Sequence, residues 1–258
     1  MSIRQAFAWA GFAQTGIAPE ALIRGAAEIG FAGIEMVPKE YWPALRDHGL
    51  TMVSIAGHPL NAPGLNEPTA FATVEKSVLT ALAQAVEWRI PYVICFSGNR
   101  EGRDDEEAAT TVAEHLKRLA PAFEKTDVTL VLELLNSKVN HPDYQADHTA
   151  WGAAICAEVN SPRVKLLYDI YHMQIMEGDL IRTIRENRGA IAHYHTAGNP
   201  GRNDLDADQE IYYPAVIRAV AETGHAGYIG HEFSPKGEVL PALRSAFELT
   251  RKALADVR

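Results

Sequence analysis

Short apolar runs rich in β-branched and aromatic residues recur along this 258-residue chain and alternate with longer segments of helical periodicity. The predicted strands are Ile3–Trp9, Gly33–Val37, Thr51–Ala56, Tyr92–Phe96, Thr129–Leu134, Val164–Tyr168, Ile191–His195 and Tyr228–Glu232. The predicted helices are Pro19–Ile29, Tyr41–His48, Phe71–Trp88, Asp104–Phe123, Thr149–Val159, Asp179–Asn187, Pro214–Glu222 and Pro241–Leu254. A strand that is apolar throughout is buried on both faces, which is typical of a parallel sheet covered by helices.

The eight strand–helix pairs fit either a closed barrel or an open doubly wound sheet. Eight pairs in roughly 250 residues is the usual size of a (β/α)8 barrel, and candidate site residues follow strands throughout the second half of the chain. An open sheet concentrates its site at one switch point, and no strand is followed by a glycine-rich nucleotide loop. The prediction is an α/β fold, a (β/α)8 TIM barrel, as a single domain over residues 1–258.

The formal net charge of −9 disfavours a surface that binds nucleic acid through its phosphates. No apolar run approaches the length of a membrane span, and the first residues lack the pattern of a secretion signal. The two cysteines, Cys95 and Cys156, have no disulfide-like spacing. We therefore expect a cytoplasmic protein with a small-molecule partner, and no nucleic-acid or membrane partner.

Four of the apolar runs end in, or next to, a residue that can bind a divalent metal. They are Glu133, Asp169, His195 and Glu232. An ionised carboxylate in an apolar run is costly unless it is paired or bound to a metal. In a closed barrel these four ends would converge around one ion, and three carboxylates with one imidazole suit Mn²⁺, Mg²⁺ or Co²⁺. The alternative is four capped or salt-bridged strand ends.

His193 and His195 point to the same side of their strand because side chains alternate along it. We interpret His195 as the ligand and His193 as a hydrogen-bonded residue deeper in the barrel. Glu35, late in the second predicted strand, is expected to be structural.

An open metal site beside carboxylates favours one type of reaction. The metal chelates adjacent carbonyl and hydroxyl oxygens and stabilises an enediolate, while a carboxylate moves the proton between carbons. Glu133 and Glu232 are the predicted acid/base groups.

Further residues are candidates for binding the substrate. Arg202 can pair with a substrate carboxylate, or it can be a surface arginine. His58 follows the third predicted strand and is either a pocket residue or a rim histidine. Lys138 can hold an anionic group or be solvated, and Trp9 can wall the pocket or pack in the core.

The segments Glu133–Asn136, Asp169–Met173, His193–Arg202 and Gly230–Glu232 together resemble the sugar isomerase/epimerase TIM-barrel superfamily. Within it, the chain is most similar to hydroxypyruvate isomerases. The resemblance runs over nearly the whole chain, and the loop His195–Asn203 with Glu210–Tyr213 is its most specific part.

The resemblance implies that Glu133, Asp169, His195 and Glu232 are metal ligands, with both glutamates acting as acid/base groups. It also implies that His172 contacts substrate oxygens and that Arg202 lies in the pocket. The chain has His195 where close hydroxypyruvate isomerases often carry glutamine and ketose 3-epimerases carry histidine. The stretch 134–147 departs from both groups.

The predicted function is isomerisation of hydroxypyruvate to tartronate semialdehyde, and the family implies a homodimer or homotetramer. The alternatives are a ketose 3-epimerase or an inosose dehydratase with the same metal and bases. A nuclease of the apurinic-site type would need more metal ligands and a basic DNA-binding face. A non-catalytic sugar-binding barrel would not need paired bases.

Overall fold

The computed structural model describes residues 3–257. The strands are β1 Arg4–Ala8, β2 Gly33–Glu35, β3 Thr51–Met52, β4 Ser54–Ala56, β5 Tyr92–Cys95, β6 Thr129–Leu134, β7 Val164–Asp169, β8 Ile191–Thr196 and β9 Tyr228–His231. The α-helices are α1 Trp9–Ala13, α2 Pro19–Ile29, α3 Trp42–Asp47, α4 Phe71–Trp88, α5 Asp105–Phe123, α6 Thr149–Val159, α7 Ile170–Met176, α8 Leu180–Glu186, α9 Tyr213–Glu222 and α10 Val239–Ala255. Two short 3-10 helices are Lys39–Tyr41 and Pro68–Ala70.

The chain divides into two compact units. The first contains residues 3–53, 179–188 and 193–257. Its strands pair in parallel in the order β3-β2-β1-β9-β8. An aromatic cluster fills part of its core, where Phe7 and Phe31 lie 5.1 Å apart and Phe12 and Phe233 lie 4.9 Å apart, all edge to face.

The second unit contains residues 54–178 and 189–192. Its strands β4, β5, β6 and β7 are parallel neighbours in that order, and β7 is followed by the first residues of β8. Every residue of β6 is buried, which is the pattern expected of a parallel strand covered on both faces. Within each unit, therefore, the carboxyl ends of the strands meet at one edge and carry the candidate ligands there.

Several predicted boundaries are wrong. Trp9 begins α1 and is not part of the first strand. The third predicted strand is two short strands separated by Val53. The second strand stops at Glu35 because Met36 has a left-handed backbone with a φ of 51°. The helices α1 and α7 were not predicted. Of the predicted single domain 1–258, residues 1, 2 and 258 lie outside the described part, and the domain count remains a prediction.

Among residues 3–257, no helix combines the length and apolar character needed to cross a membrane. The helix α2 begins with Pro19 and ends at Gly30, whose φ of 108° suits a glycine C-cap.

Candidate metal centre

His195 is the central side chain of the first unit's site. It is fully buried near the end of β8. Its Nδ1 lies 2.8 Å from Oε2 of Glu232, and its Nε2 lies 3.2 Å from Oε2 of Glu35. The ring therefore stands between two carboxylates, with a different nitrogen facing each. The structure thus brings two of the predicted ligands, His195 and Glu232, into direct contact.

Glu232 directly follows β9, and its backbone N–H continues the strand pairing by donating to the carbonyl of Thr196 at 2.9 Å. Its carboxylate also contacts Arg202, whose Nη2 lies 2.9 Å from Oε2. Arg202 has a left-handed backbone, with a φ of 55°. The predicted substrate-binding arginine is thus an ion-pair partner of a predicted ligand.

Glu35 and His193 form the deeper part of this cluster. Both are fully buried, and Nε2 of His193 lies 2.9 Å from Oε2 of Glu35. Burial alone would raise the pKa of Glu35, but the neighbouring His193 and His195 lower it well below its ordinary value. Glu35, His193 and His195 each offer a ligand atom within 4.8 Å of the others, a spacing that can hold a metal ion.

Glu133 and Asp169 are the predicted ligands of the second unit. Both are buried, on β6 and at the end of β7, and their ligand oxygens lie within 4.8 Å of each other. Oδ1 of Asp169 accepts hydrogen bonds from the backbone N–H groups of Tyr171 (2.8 Å) and His172 (3.2 Å). One oxygen of Asp169 therefore caps α7, and this fixes the direction of the other.

His172 is fully buried beside Asp169. The backbone N–H of Asn136 donates to its Nδ1 at 3.1 Å, so the ring proton of the neutral form lies on Nε2. Nε2 lies 3.6 Å from Oδ2 of Asp169. The predicted substrate-binding histidine thus faces a predicted metal ligand.

The other substrate-binding candidates are placed differently. His58 is buried, and its Nε2 accepts a hydrogen bond from the backbone of Phe96 at 3.1 Å. Lys138 donates to the carbonyls of Ile175 and Met176 at the end of α7. Trp9 stacks on Tyr41, with 5.6 Å between ring centroids. None of these contacts tests a role in substrate binding, which remains a prediction for all three residues.

A cleft of about 630 Å³ lies in the second unit. The segments 60–70, 99–103 and 140–144 line it. His141 lies on its wall, and the His141 ring centroid is 5.3 Å from that of His172. His141 thus links the wall of the cleft to His172.

Glu35 was expected from the sequence to be structural. In the structure its carboxylate contacts His195, a predicted metal ligand. A signal was available, since a carboxylate within an apolar strand needs a buried partner. Its partner lies 160 residues further along the chain, and a single sequence does not show such a pairing.

The family of the chain follows from its sequence. A model of the xylose isomerase-like TIM barrel matches residues 23–253, and the chain belongs to this family. The predicted α/β class and TIM-barrel fold are thereby confirmed.

Individual relatives carry more specific names. A hydroxypyruvate isomerase of Escherichia coli is 27% identical, and the match covers 85% of this chain and 89% of the relative. A 2-oxo-tetronate isomerase of Pectobacterium atrosepticum is also 27% identical, over 83% of this chain and 86% of the relative. A solved structure titled AP endonuclease, family 2, from Brucella melitensis superposes with a TM-score of 0.84 at 27% identity, covering 93% of this chain and 97% of that one. The predicted isomerase class agrees with the names of both sequence relatives.

Proposed function

We propose that this chain is a metal-dependent isomerase that moves a proton between neighbouring carbons of a small hydroxy-carbonyl compound. The observation that carries the proposal is the His195–Glu232 pair. An imidazole nitrogen and a carboxylate oxygen lie 2.8 Å apart at the carboxyl ends of adjacent strands, the end of the strands where TIM-barrel enzymes have their active sites.

The ligand set that we propose is Glu133, Asp169, His195 and Glu232. Three carboxylates and one imidazole suit a hard divalent cation such as Mn²⁺, Mg²⁺ or Co²⁺. The neighbours of two ligands support this set. Asp169 has one oxygen committed to the start of α7, and His195 turns Nε2 toward Glu35. Each would offer its remaining donor atom to the ion.

A bound divalent cation would act as a Lewis acid and make a C–H beside a polarised carbonyl more acidic. Glu133 and Glu232 would then serve as the acid/base groups. With hydroxypyruvate, one glutamate takes a proton from the hydroxymethyl carbon, and a proton is delivered to the former carbonyl carbon. The hydroxyl proton passes to the other oxygen, so tartronate semialdehyde contains the same atoms.

Arg202 supports a substrate with a carboxylate. A guanidinium has five N–H donors, so Arg202 can pair with Glu232 and with a substrate carboxylate at the same time. Hydroxypyruvate and 2-oxo-tetronate, the compounds in the names of the two relatives, both have such a group. A ketose 3-epimerase or an inosose dehydratase would use the same bases on a substrate without it. A homodimer or homotetramer remains a prediction.

Proton exchange with solvent tests the function. The purified protein with Mn²⁺ is incubated in D₂O with hydroxypyruvate, tartronate semialdehyde, fructose, tagatose or inosose, the metal is removed with chelator, and proton NMR is recorded. We expect deuterium in hydroxypyruvate and its product, and loss of exchange by at least about 100-fold in Glu133→Gln and Glu232→Gln. Glu186→Gln, an exposed glutamate of α8, is the matched control and should keep the wild-type rate.

Three outcomes would overturn the proposal or redirect it. Exchange in none of the compounds favours the non-catalytic barrel. If exchange continues at the full rate in the presence of chelator, the reaction does not require a metal. Exchange only in fructose or tagatose, at C3, identifies a ketose 3-epimerase.

A further inference from the structure

A buried carboxylate of the first unit accepts from two imidazoles through the same oxygen. Oε2 of Glu35, at the end of β2, lies 2.9 Å from Nε2 of His193 and 3.2 Å from Nε2 of His195. All three side chains are fully buried. Both distances are ordinary for hydrogen bonds in which an N–H donates to a carboxylate.

The second nitrogen of His193 shows which way this network is protonated. Nδ1 of His193 lies 3.1 Å from the backbone carbonyl oxygen of Tyr228. A carbonyl oxygen and a carboxylate both only accept, so with both hydrogen bonds made the two nitrogens of His193 donate, and the ring is an imidazolium paired with Glu35. The ring then stands between two acceptors and links Glu35 to the backbone of β9, which holds the carboxylate in place.

His195 uses its two nitrogens in different ways. Nε2 faces Glu35, and Nδ1 faces Glu232 at 2.8 Å. Both nitrogens face a carboxylate, so a cation bound at Nδ1 would decide between the tautomers: the neutral ring then keeps its one N–H on Nε2, where Glu35 accepts it. Nδ1 would direct its lone pair to that cation, beside Glu232.

The backbone opposite this carboxylate leaves room for nothing larger than glycine. A Cβ built on Gly230 would lie 2.0 Å from Oε1 of Glu35 and 3.0 Å from Cδ2 of His195. The close approach of β9 to both side chains therefore depends on the glycine of the Gly230-His231-Glu232 segment.

We propose that Glu35 is a positioning residue that sets the tautomer and the ring orientation of His195, with His193 holding Glu35 in turn. The inference rests on the proposed function, in which His195 is a metal ligand. The competing interpretation is a metal ion bound by Glu35, His193 and His195 themselves. A metal ion there would replace the hydrogen bonds from His193 and His195 to Glu35, both of normal length. It would also bind Nε2 of His195, whereas Nδ1 is the nitrogen that faces Glu232.

The first test is the affinity for Mn²⁺, measured by titration calorimetry on the full chain. Glu35→Gln keeps the size of the side chain and one acceptor oxygen, but it removes the negative charge, so the bonds from the two imidazoles lose their charge-assisted strength. Because loss of such a partner weakens metal binding by about 10- to 100-fold, we expect that increase in Kd. We also expect kcat to fall more than KM rises. Mn²⁺ binding by Glu35→Gln as tight as in the wild type would overturn the inference.

The matched control uses another buried histidine of the same unit. His231 contacts Thr196 and Gln5, with 3.1 Å between its Nε2 and Oε1 of Gln5. Gln5→Met removes that partner and should leave the affinity for Mn²⁺ unchanged. If Gln5→Met weakens binding as much as Glu35→Gln does, the effect is general destabilisation and the inference is wrong. If the wild type binds no Mn²⁺, the proposed function fails instead.

The second test needs no variant at Glu35. Nitrogen-15 NMR of the histidine side chains reports which ring nitrogen carries the proton, and His195→Gln identifies the signals of His195. We expect Nε2 of His195 to be protonated in the metal-free protein and with Mg²⁺ added. A proton on Nδ1 with none on Nε2 would contradict the inference.

Discussion

Several side chains of the candidate site have one polar atom fixed by a hydrogen bond or an ion pair. Asp169 gives one oxygen to the N-terminus of α7, and Glu232 contacts Arg202 at 2.9 Å. His58 uses Nε2 to accept from the backbone of Phe96. Because Nε2 of His58 accepts this bond, the contact requires the neutral ring, and the stability that it contributes depends on pH.

Burial lowers the pKa of His58 to about 4, whereas an unfolded histidine titrates near 6.5. Between these values the unfolded chain binds a proton that the folded chain does not bind. The contribution of His58 to the free energy of unfolding is therefore complete above about pH 6.5 and is lost as the pH falls to about 4. The loss is up to roughly 3 kcal/mol.

Urea unfolding at pH 7, 5.5 and 4.5 measures this loss. We expect His58→Gln, whose side-chain oxygen can accept from Phe96, to lose less stability than the wild type across this range. His48→Gln, at an exposed histidine, should follow the wild type. Equal losses in all three proteins would show that His58 is not the group responsible.

The start of helix α5 is determined by a capping residue that is visible in the sequence. The helix α5 begins after Asp104, whose Oδ1 accepts from the backbone N–H of Glu106 at 2.9 Å and of Glu107 at 3.4 Å. Three acidic residues follow in the first turn, where they favour the positive end of the helix dipole. The predicted start of this helix at Asp104 corresponds to its N-cap.

Removal of this cap should weaken the second unit. Asp104→Ala leaves the first backbone N–H groups of α5 without their side-chain acceptor, and such a loss costs about 0.5–2 kcal/mol. The free energy of unfolding from urea titration is the measurement, with Glu186→Ala at the end of α8 as the control. A value for Asp104→Ala equal to that of the control would mean that the cap contributes nothing.

Several elements have the bounds that the sequence predicted, whereas α7 and the break in the third predicted strand were missed. The strand Thr129–Leu134 and the helices Phe71–Trp88 and Thr149–Val159 have the predicted bounds. The helix α7 was missed because Asp169 both ends a strand and caps the next helix, with no loop between them. The break at Val53 leaves no gap in the apolar pattern that a sequence could reveal.

The chain belongs to the xylose isomerase-like TIM barrel family, whose model matches residues 23–253, and the alternation of strands and helices had predicted this fold. The candidate ligands were proposed from sequence, because polar residues at the ends of apolar strands are conspicuous, and their role remains a prediction. His193 was predicted to be hydrogen-bonded, but its partners Glu35 and Tyr228 were not, because these residues meet only through pairing between distant strands. A single sequence gives the residue types at strand ends but not which buried groups contact each other.

The most direct test of the proposed function is a crystal structure of the full chain grown with Mn²⁺, with anomalous diffraction recorded at the manganese absorption edge. We predict one manganese peak per chain, within about 2.0–2.4 Å of an oxygen of Glu133, Asp169 and Glu232 and of Nδ1 of His195. A manganese peak held by Glu35, His193 and His195 would contradict the account. So would the absence of a peak near Glu133, Asp169, His195 and Glu232.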